Sequence, residues 1–270
     1  MIKQVSRLLF FLLIVILALQ PLVVGNPLPV YTDLGSPLTL WDNGIQFFSE
    51  YVEYEINDED DVKVTANYTF YNPTNETING MVSLPFTRHR LPDNLIIEYN
   101  GTEIEYYQEE HSSGFLMDLG IDVYSHFDFA VFDLSFDSYN FTTINVSYSP
   151  RMTISDKSII LITTYSTEYI TKTGSLWNGT IQNAHFKFKI NKEIFTYENS
   201  ESFDISEEGE YIVLSKSFTD WTPNININLK WTNINYFAVL IVLLCIFIPC
   251  FLVIVIFRIY NKKNKNHYKK

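Results

Sequence analysis

The chain has 270 residues, 47% of them hydrophobic, with 21 Phe and 18 Tyr. Aromatic content of that order excludes a disordered chain, and only ten Gly and ten Pro exclude a low-complexity stalk. The formal net charge of −12 excludes a nucleic-acid partner.

The first twenty-five residues read as a signal peptide. Lys3 and Arg7 precede Leu8 to Leu19, a run of apolar residues too short for a membrane span. Cleavage is expected near Gly25 to Asn26. Asn26 to Trp41, rich in proline, reads as an extended leading segment. Phe47 to Ile56 is a predicted strand, and Asn57 to Asp61 an acidic turn. Val62 to Phe70 alternates strictly, with Val64, Ala66, Tyr68 and Phe70 on one face. Asn72 to Asn75 is a turn. Met81 to Phe86 is a further strand, pushed toward a sheet edge by Pro85. Asn100-Gly101, between two alternating runs, signals a type I′ hairpin.

The middle of the chain is aromatic and acidic. Phe127, Phe129 and Val131 alternate as in a strand, with Asp118, Asp122, Asp128, Asp133 and Asp137 expected on its outer face. Phe141 to Tyr148 alternates, with Ile144, Val146 and Tyr148 inward. Ser149-Pro150 is taken as a subdomain boundary. Ser158 to Thr164 reads as a buried strand. Ala184 to Ile190 alternates Phe186, Phe188 and Ile190 against His185, Lys187 and Lys189. Tyr211 to Leu214 is a short strand. In Asn224 to Trp231, Ile225, Ile227, Leu229 and Trp231 share a face.

Phe237 to Phe257 carries no charge over twenty-one residues, and Arg258 and five lysines follow. About twenty apolar residues in a helix cross a hydrocarbon core of about 30 Å. All 31 Asp and Glu lie before this run, against 11 Lys and Arg between the two apolar stretches, a balance of −20. The basic end therefore belongs in the cytoplasm and the acidic part outside. Trp231 and Tyr236 are expected at the headgroup level. Cys245 and Cys250, the only cysteines, fall inside the run, so no disulfide framework supports the exterior.

The expected organisation is a signal peptide over 1–25, a β-sandwich in two parts over 26–150 and 151–235, a transmembrane helix over 236–257 and a basic cytoplasmic tail over 258–270. The fold class is mainly β, with one or two linked immunoglobulin-like sandwiches outside a single C-terminal transmembrane helix.

Six asparagines begin N-x-Ser/Thr sequons: Asn67, Asn75, Asn100, Asn140, Asn145 and Asn178. The alternation puts Asn67 and Asn145 on polar strand faces, and Asn75, Asn100 and Asn178 fall in turns. All six are candidate glycosylation sites. No P-loop, G-x-S-x-G elbow or G-x-G-x-x-G is present, and His89, His111, His126 and His185 have no metal spacing. No catalytic residue, cofactor or metal is expected. Arg88, His89 and Arg90 form the one basic spot of the exterior.

Val64 to Phe86 (VTANYTFYNPTNETINGMVSLPF) resembles a strand–turn–strand of exported β-sandwich domains. It departs at Leu84-Pro85-Phe86, where their pattern has F-P-L-P. Tyr169 to Ile181 (YITKTGSLWNGTI) resembles the Y-x-x-x-T-G-x-x-W-x-G-x-I stretch of a family of prokaryotic exported proteins of unknown function, and Tyr211 to Trp231 is similar to that family's closing strands. The resemblance covers about a quarter of the chain and implies a fold and an exported location, without an activity. The residues Gly174, Trp177 and Gly179 themselves read as a turn with a packed tryptophan.

The expected function is that of a type I single-pass surface glycoprotein with a structural or binding role. It would contact membrane lipid through Phe237–Phe257 and the basic tail, and an extracellular protein or glycan through its outer part. The alternative is an exported, membrane-anchored hydrolase with a triad assembled across strands.

Overall fold

The computed structural model describes residues 30–31, 35–39, 44–58, 61–87, 91–111, 127–150, 152–153, 162–194, 196–199, 202–224, 226–234 and 236–267. The signal peptide, the Arg88–Arg90 spot, Asp118, Asp122, His126 and the last three residues lie outside them. Seventeen strands are present among the described residues. β1 (Val30–Tyr31), β2 (Leu38–Thr39), β3 (Gln46–Ile56), β4 (Val62–Tyr71) and β5 (Ile78–Thr87) come first. β6 (Ile96–Tyr99), β7 (Thr102–Glu103), β8 (Tyr107–His111), β9 (Phe127–Phe136), β10 (Phe141–Tyr148), β11 (Met152–Thr153) and β12 (Ile162–Tyr169) follow. A 3-10 helix (Thr171–Leu176) leads into β13 (Ile181–Asn191), β14 (Thr196–Asn199), β15 (Asp204–Glu208), β16 (Tyr211–Trp221) and β17 (Ile227–Ile234), and the chain ends in α1 (Tyr236–His267).

The strands form an eight-stranded sheet (β15-β16-β13-β3-β4-β10-β6-β7), a five-stranded sheet (β11-β1-β12-β17-β14) and a four-stranded sheet (β2-β5-β9-β8). The alternation read in the sequence appears directly in β4, β10 and β13, whose inward residues are Val64 to Phe70, Ile144 to Tyr148 and Phe186 to Ile190. One hydrophobic core takes residues from all three sheets. Phe70 meets Phe136 at 5.7 Å, Phe86 meets Tyr148 at 5.4 Å, and Tyr169 meets Phe186 at 5.4 Å, so rings of the large sheet contact rings of each of the other two. The architecture is mainly β, with this main core and a second small cluster of Leu38, Phe129, Val131 and Ile170.

Four expectations need correction. The boundary at 150 does not divide the large sheet, because β13 from the later part runs parallel to β3 from the earlier part, Asn183 opposite Ser49 through Ile190 opposite Ile56. That parallel pair and the eight strands depart from the all-antiparallel, four-plus-three constant-type immunoglobulin sandwich. β16 runs from Tyr211 to Trp221, not to Leu214. Beyond Leu214 it buries no residue fully, so no apolar alternation marks it. Asp128 is not on an outer face: it is fully buried and its Oδ2 accepts a hydrogen bond from Gln108 at 2.8 Å. Its strand is covered on both sides there, with Ala130 and Phe132 in the main core and Phe129 and Val131 packed with Leu38 and Ile170. Trp231 is no interfacial anchor, since it is buried and stacks on Tyr165 at 5.7 Å.

Several turns follow their chemistry. Asn100 and Gly101 both have positive φ, 51° and 72°, and Tyr99 pairs with Thr102, which is the type I′ hairpin. Asn72 is fully buried at the β4–β5 turn. Its Oδ1 accepts from the Thr74 N–H at 2.9 Å, and its Nδ2 donates to the Glu76 and Phe136 carbonyls, each at 2.8 Å. β5 has only the two-residue β2 beside it on one side, so Pro85 costs no ladder bond there, and its carbonyl accepts from Gly35 N at 2.9 Å.

The chain divides into two compact units, 29–153 with 165–232, and 1–28 with 154–164 and 233–270. The described part of the second unit is dominated by α1, a helix of 32 residues that continues through Pro249. Counted on the described side chains alone, no helix is long and apolar enough to cross a membrane. The uncharged run of twenty-one is a property of the full sequence, in which Ala238, Val242, Ile246, Pro249 and Ile256 complete the described positions.

Candidate functional site

The Tyr169–Ile181 stretch is a device that holds the fold. The segment Gly35 to Leu38 is buried, so its backbone needs partners inside the protein. Ser36 N donates to the Ile170 carbonyl at 3.0 Å. Thr173 Oγ1 donates to the Ser36 carbonyl at 2.6 Å, and Trp177 Nε1 to the Pro37 carbonyl at 2.7 Å. Gly174 packs so closely that an added Cβ would lie 3.2 Å from Ser36 Cβ and 3.3 Å from both Ile181 and Phe47. Gly179 takes φ +85°, the left-handed conformation that glycine tolerates. The tryptophan ring lies 4.7 Å from Phe70. The turn with a packed tryptophan read in the sequence is therefore present, with Thr173, Gly174 and Trp177 tied to the segment before β3 and Gly179 making the exposed turn.

Beneath it lies a carboxylate that the sequence reading did not single out. Glu50 on β3 is fully buried; its Oε2 accepts from Ser36 Oγ at 2.9 Å and from Tyr169 OH at 3.0 Å. Since Tyr169 gives its proton to Glu50, Tyr68 OH donates to Tyr169 across 3.0 Å. Glu50 Oε1 has no hydrogen-bond partner among the described residues. Burial raises the Glu50 pKa to about 7, against the opposing hydrogen bonds from Ser36 and Tyr169. Burial also pushes the Tyr68 and Tyr169 phenols well above their ordinary value, and the Glu50 charge adds to it. The signal was available in the sequence, because Glu50 is in phase with the inward Val52, Tyr54 and Ile56. Glu50 lines neither of the two grooves described below, and its hydrogen bonds tie β3 to the segment before it and to β12.

The accessible chemistry is on the outer face of the eight-stranded sheet. One row of partners crosses six strands: Ser217, His185, Tyr51, Asn67, Asn145 and Glu98. His185 Nδ1 lies 2.8 Å from Ser217 Oγ, and its ring stacks on Tyr51 at 5.3 Å with 12° between planes. Asn67 Nδ2 donates to Asn145 Oδ1 at 2.6 Å. A neighbouring row holds Thr219, Asn183, Ser49, Thr69 and Thr143, with the Thr69 and Thr143 hydroxyls 3.1 Å apart. On the other side Lys189 pairs with Glu53 at 2.7 Å and Lys187 with Glu208 at 3.0 Å. Burial alone would raise the Glu53 carboxyl, but the hydrogen bonds from Lys189 and Tyr51 hold it below its ordinary value. Burial and then the Lys187 ammonium lower the His185 pKa. A hollow of about 330 Å³ lies over Tyr51, Thr65, Asn67, Glu98, Asn145 and Ser147. A larger open groove of about 760 Å³ is lined by Asn79, Met81, Tyr99, Asp133 and Ser135.

This face is polar and rich in hydroxyl and amide groups. His185 with Ser217 supplies two members of a hydrolytic triad, but among the described residues no carboxylate is hydrogen-bonded to the other ring nitrogen. No group of three or more His, Cys, Asp or Glu that could hold a metal occurs among the described residues. The six sequons are placed as follows: Asn67 is half-buried on β4, Asn145 is exposed on β10, and Asn75, Asn100, Asn140 and Asn178 are exposed in turns. Only Asn67 and Asn145 are brought together.

No family model matches the chain, and no curated protein matches it in sequence. Among solved structures it is similar to a Legionella pneumophila protein provisionally called a nutrient-binding protein. That likeness has a TM-score of 0.60 and 14% identity, and covers 75% of this chain and 71% of that one. It shows a shared fold alone. An M1 zinc metallopeptidase from Deinococcus radiodurans aligns at a TM-score of 0.35 and 10% identity, over 72% of this chain and 43% of the peptidase. At that score the likeness bears on neither fold nor chemistry.

Proposed function

We propose that the protein is a type I single-pass surface protein that presents a non-enzymatic β-sandwich outside the cell. α1 crosses the bilayer through Phe237–Phe257, and Arg258 and the lysines after it stay on the cytoplasmic side. The observation that carries this reading is α1 itself. It is one 32-residue helix over an uncharged run ended by Arg258, and its exposed Phe257, Leu243, Phe247, Leu240, Leu244 and Leu252 spread over more than half its circumference. A helix on a soluble core needs only one apolar stripe. The signal-like start and the −20 balance of the part before the helix agree with outward placement. The polar outer face of the large sheet supports a binding or structural role, toward an extracellular protein or glycan. Full-length protein in isolated membranes is expected to stay in the pellet through carbonate washing at alkaline pH and to leave it only with detergent. Release by carbonate would overturn the membrane-spanning reading.

A further inference from the structure

Two of the six sequons compete for the same space. Asn67 and Asn145 are direct cross-strand partners in a ladder that runs from Phe141 opposite Tyr71 to Tyr148 opposite Val64. Side chains so opposed have Cβ atoms about 4.5–5.5 Å apart and rise side by side from the sheet. Glycosylation uses the Nδ2 atom, and the Nδ2 of Asn67 is 2.6 Å from Asn145 Oδ1. A sugar there would start on the nitrogen that faces Asn145, between Asn145 and the ladder partner on the other side, Tyr51. Asn145 differs: it is exposed, it uses only its carbonyl oxygen in the pair, and its Nδ2 has no partner among the described residues. A sugar on Asn145 leaves the Asn67–Asn145 bond in place.

We propose that folded molecules carry a glycan on Asn145 and none on Asn67. This rests on the external placement argued above. In the transfer, Asn145 Nδ2 bonds to the anomeric carbon of the first sugar of a polyprenyl-phosphate-linked oligosaccharide. The bond from that carbon to phosphate oxygen breaks, the phosphate leaves with the electron pair, and an amide proton passes to solvent. Transfer to an unfolded chain ignores the pairing, but folding does not. A chain modified at both positions crowds two sugars onto directly paired residues of β4 and β10, interior strands of the large sheet.

The full chain is produced in a glycosylating eukaryotic host, extracted from surface membranes in detergent, and mapped by glycopeptide mass spectrometry. The expected result is an occupied Asn145 and a bare Asn67. Asn67→Gln is expected to leave the number of glycans unchanged, and Asn145→Gln to lower it by one. Sugar on Asn67 in the extracted protein, or loss of a glycan from N67Q, would overturn the proposal. So would sugar on Asn75, Asn100 or Asn178 with none on Asn145, an outcome that leaves the external placement standing. Absence of sugar from all six asparagines would overturn both.

Discussion

Glu50 faces the core because β3 keeps a period of two through Val52, Tyr54 and Ile56, although a register shift between Phe47 and Ser49 interrupts it on one side. Burial makes this carboxyl more stable protonated and outweighs the hydrogen bonds from Ser36 and Tyr169, which raises its pKa to about 7 from 4.5. Between those values the folded protein keeps the proton and the unfolded chain releases it. The contribution is therefore complete below about pH 4.5 and is lost as pH rises to about 7, roughly 3 kcal/mol in total. Chemical denaturation of the full chain in detergent is expected to show this fall. Glu50→Gln, which mimics the protonated group, is expected to remove most of it. An unchanged slope in E50Q would place the proton elsewhere. The residue was legible in the alternation, but its role was not. Ser36 and Tyr169 lie 14 and 119 positions away, and local sequence does not say that they converge on one oxygen.

At the scale of elements, strands with one buried face were legible and pairings between distant strands were not. β4, β10 and β13 alternate cleanly because their other face is open to solvent. β9 was read only in outline, because Asp128 to Phe132 are buried on both sides and the alternation of polar and apolar fails there. The parallel contact of β3 with β13 leaves no local mark, which is why position 150 looked like a boundary. Turns sit between these cases. The sequence announces Asn100-Gly101, whereas the proline of Asn72–Asn75 conceals the more important residue, Asn72. Its amide closes the β4–β5 turn through the Thr74 N–H and the Glu76 carbonyl, and ties that turn to β9 through the Phe136 carbonyl. Asn72→Ala removes the amide from the buried Phe136 carbonyl and from the half-exposed turn, and is expected to cost about 2 kcal/mol, read as an earlier denaturation midpoint. Asn72→Asp retains the acceptor but loses both donations, and is expected to recover only part of the loss.

For the whole molecule, charge and hydropathy are read from the sequence and need no fold. The part between the two apolar stretches carries a balance of −20, the end after Phe257 carries only basic charges, and the break between them is the uncharged Phe237–Phe257 run of α1. Such a distribution has a single favourable orientation in a membrane. The candidate face also belongs to this scale, since its row of Ser217, His185, Tyr51, Asn67, Asn145 and Glu98 gathers six strands from both halves of the chain. No local motif marks it, although the two sequons within it could be read. The most direct test of the membrane-anchored reading is epitope accessibility on intact cells. One tag follows Gly25 and another follows Lys270. The account predicts that antibody and protease reach the first tag on unpermeabilised cells, and the second only after detergent. Access to the second tag on intact cells, or recovery of both tags in the soluble fraction, would contradict it.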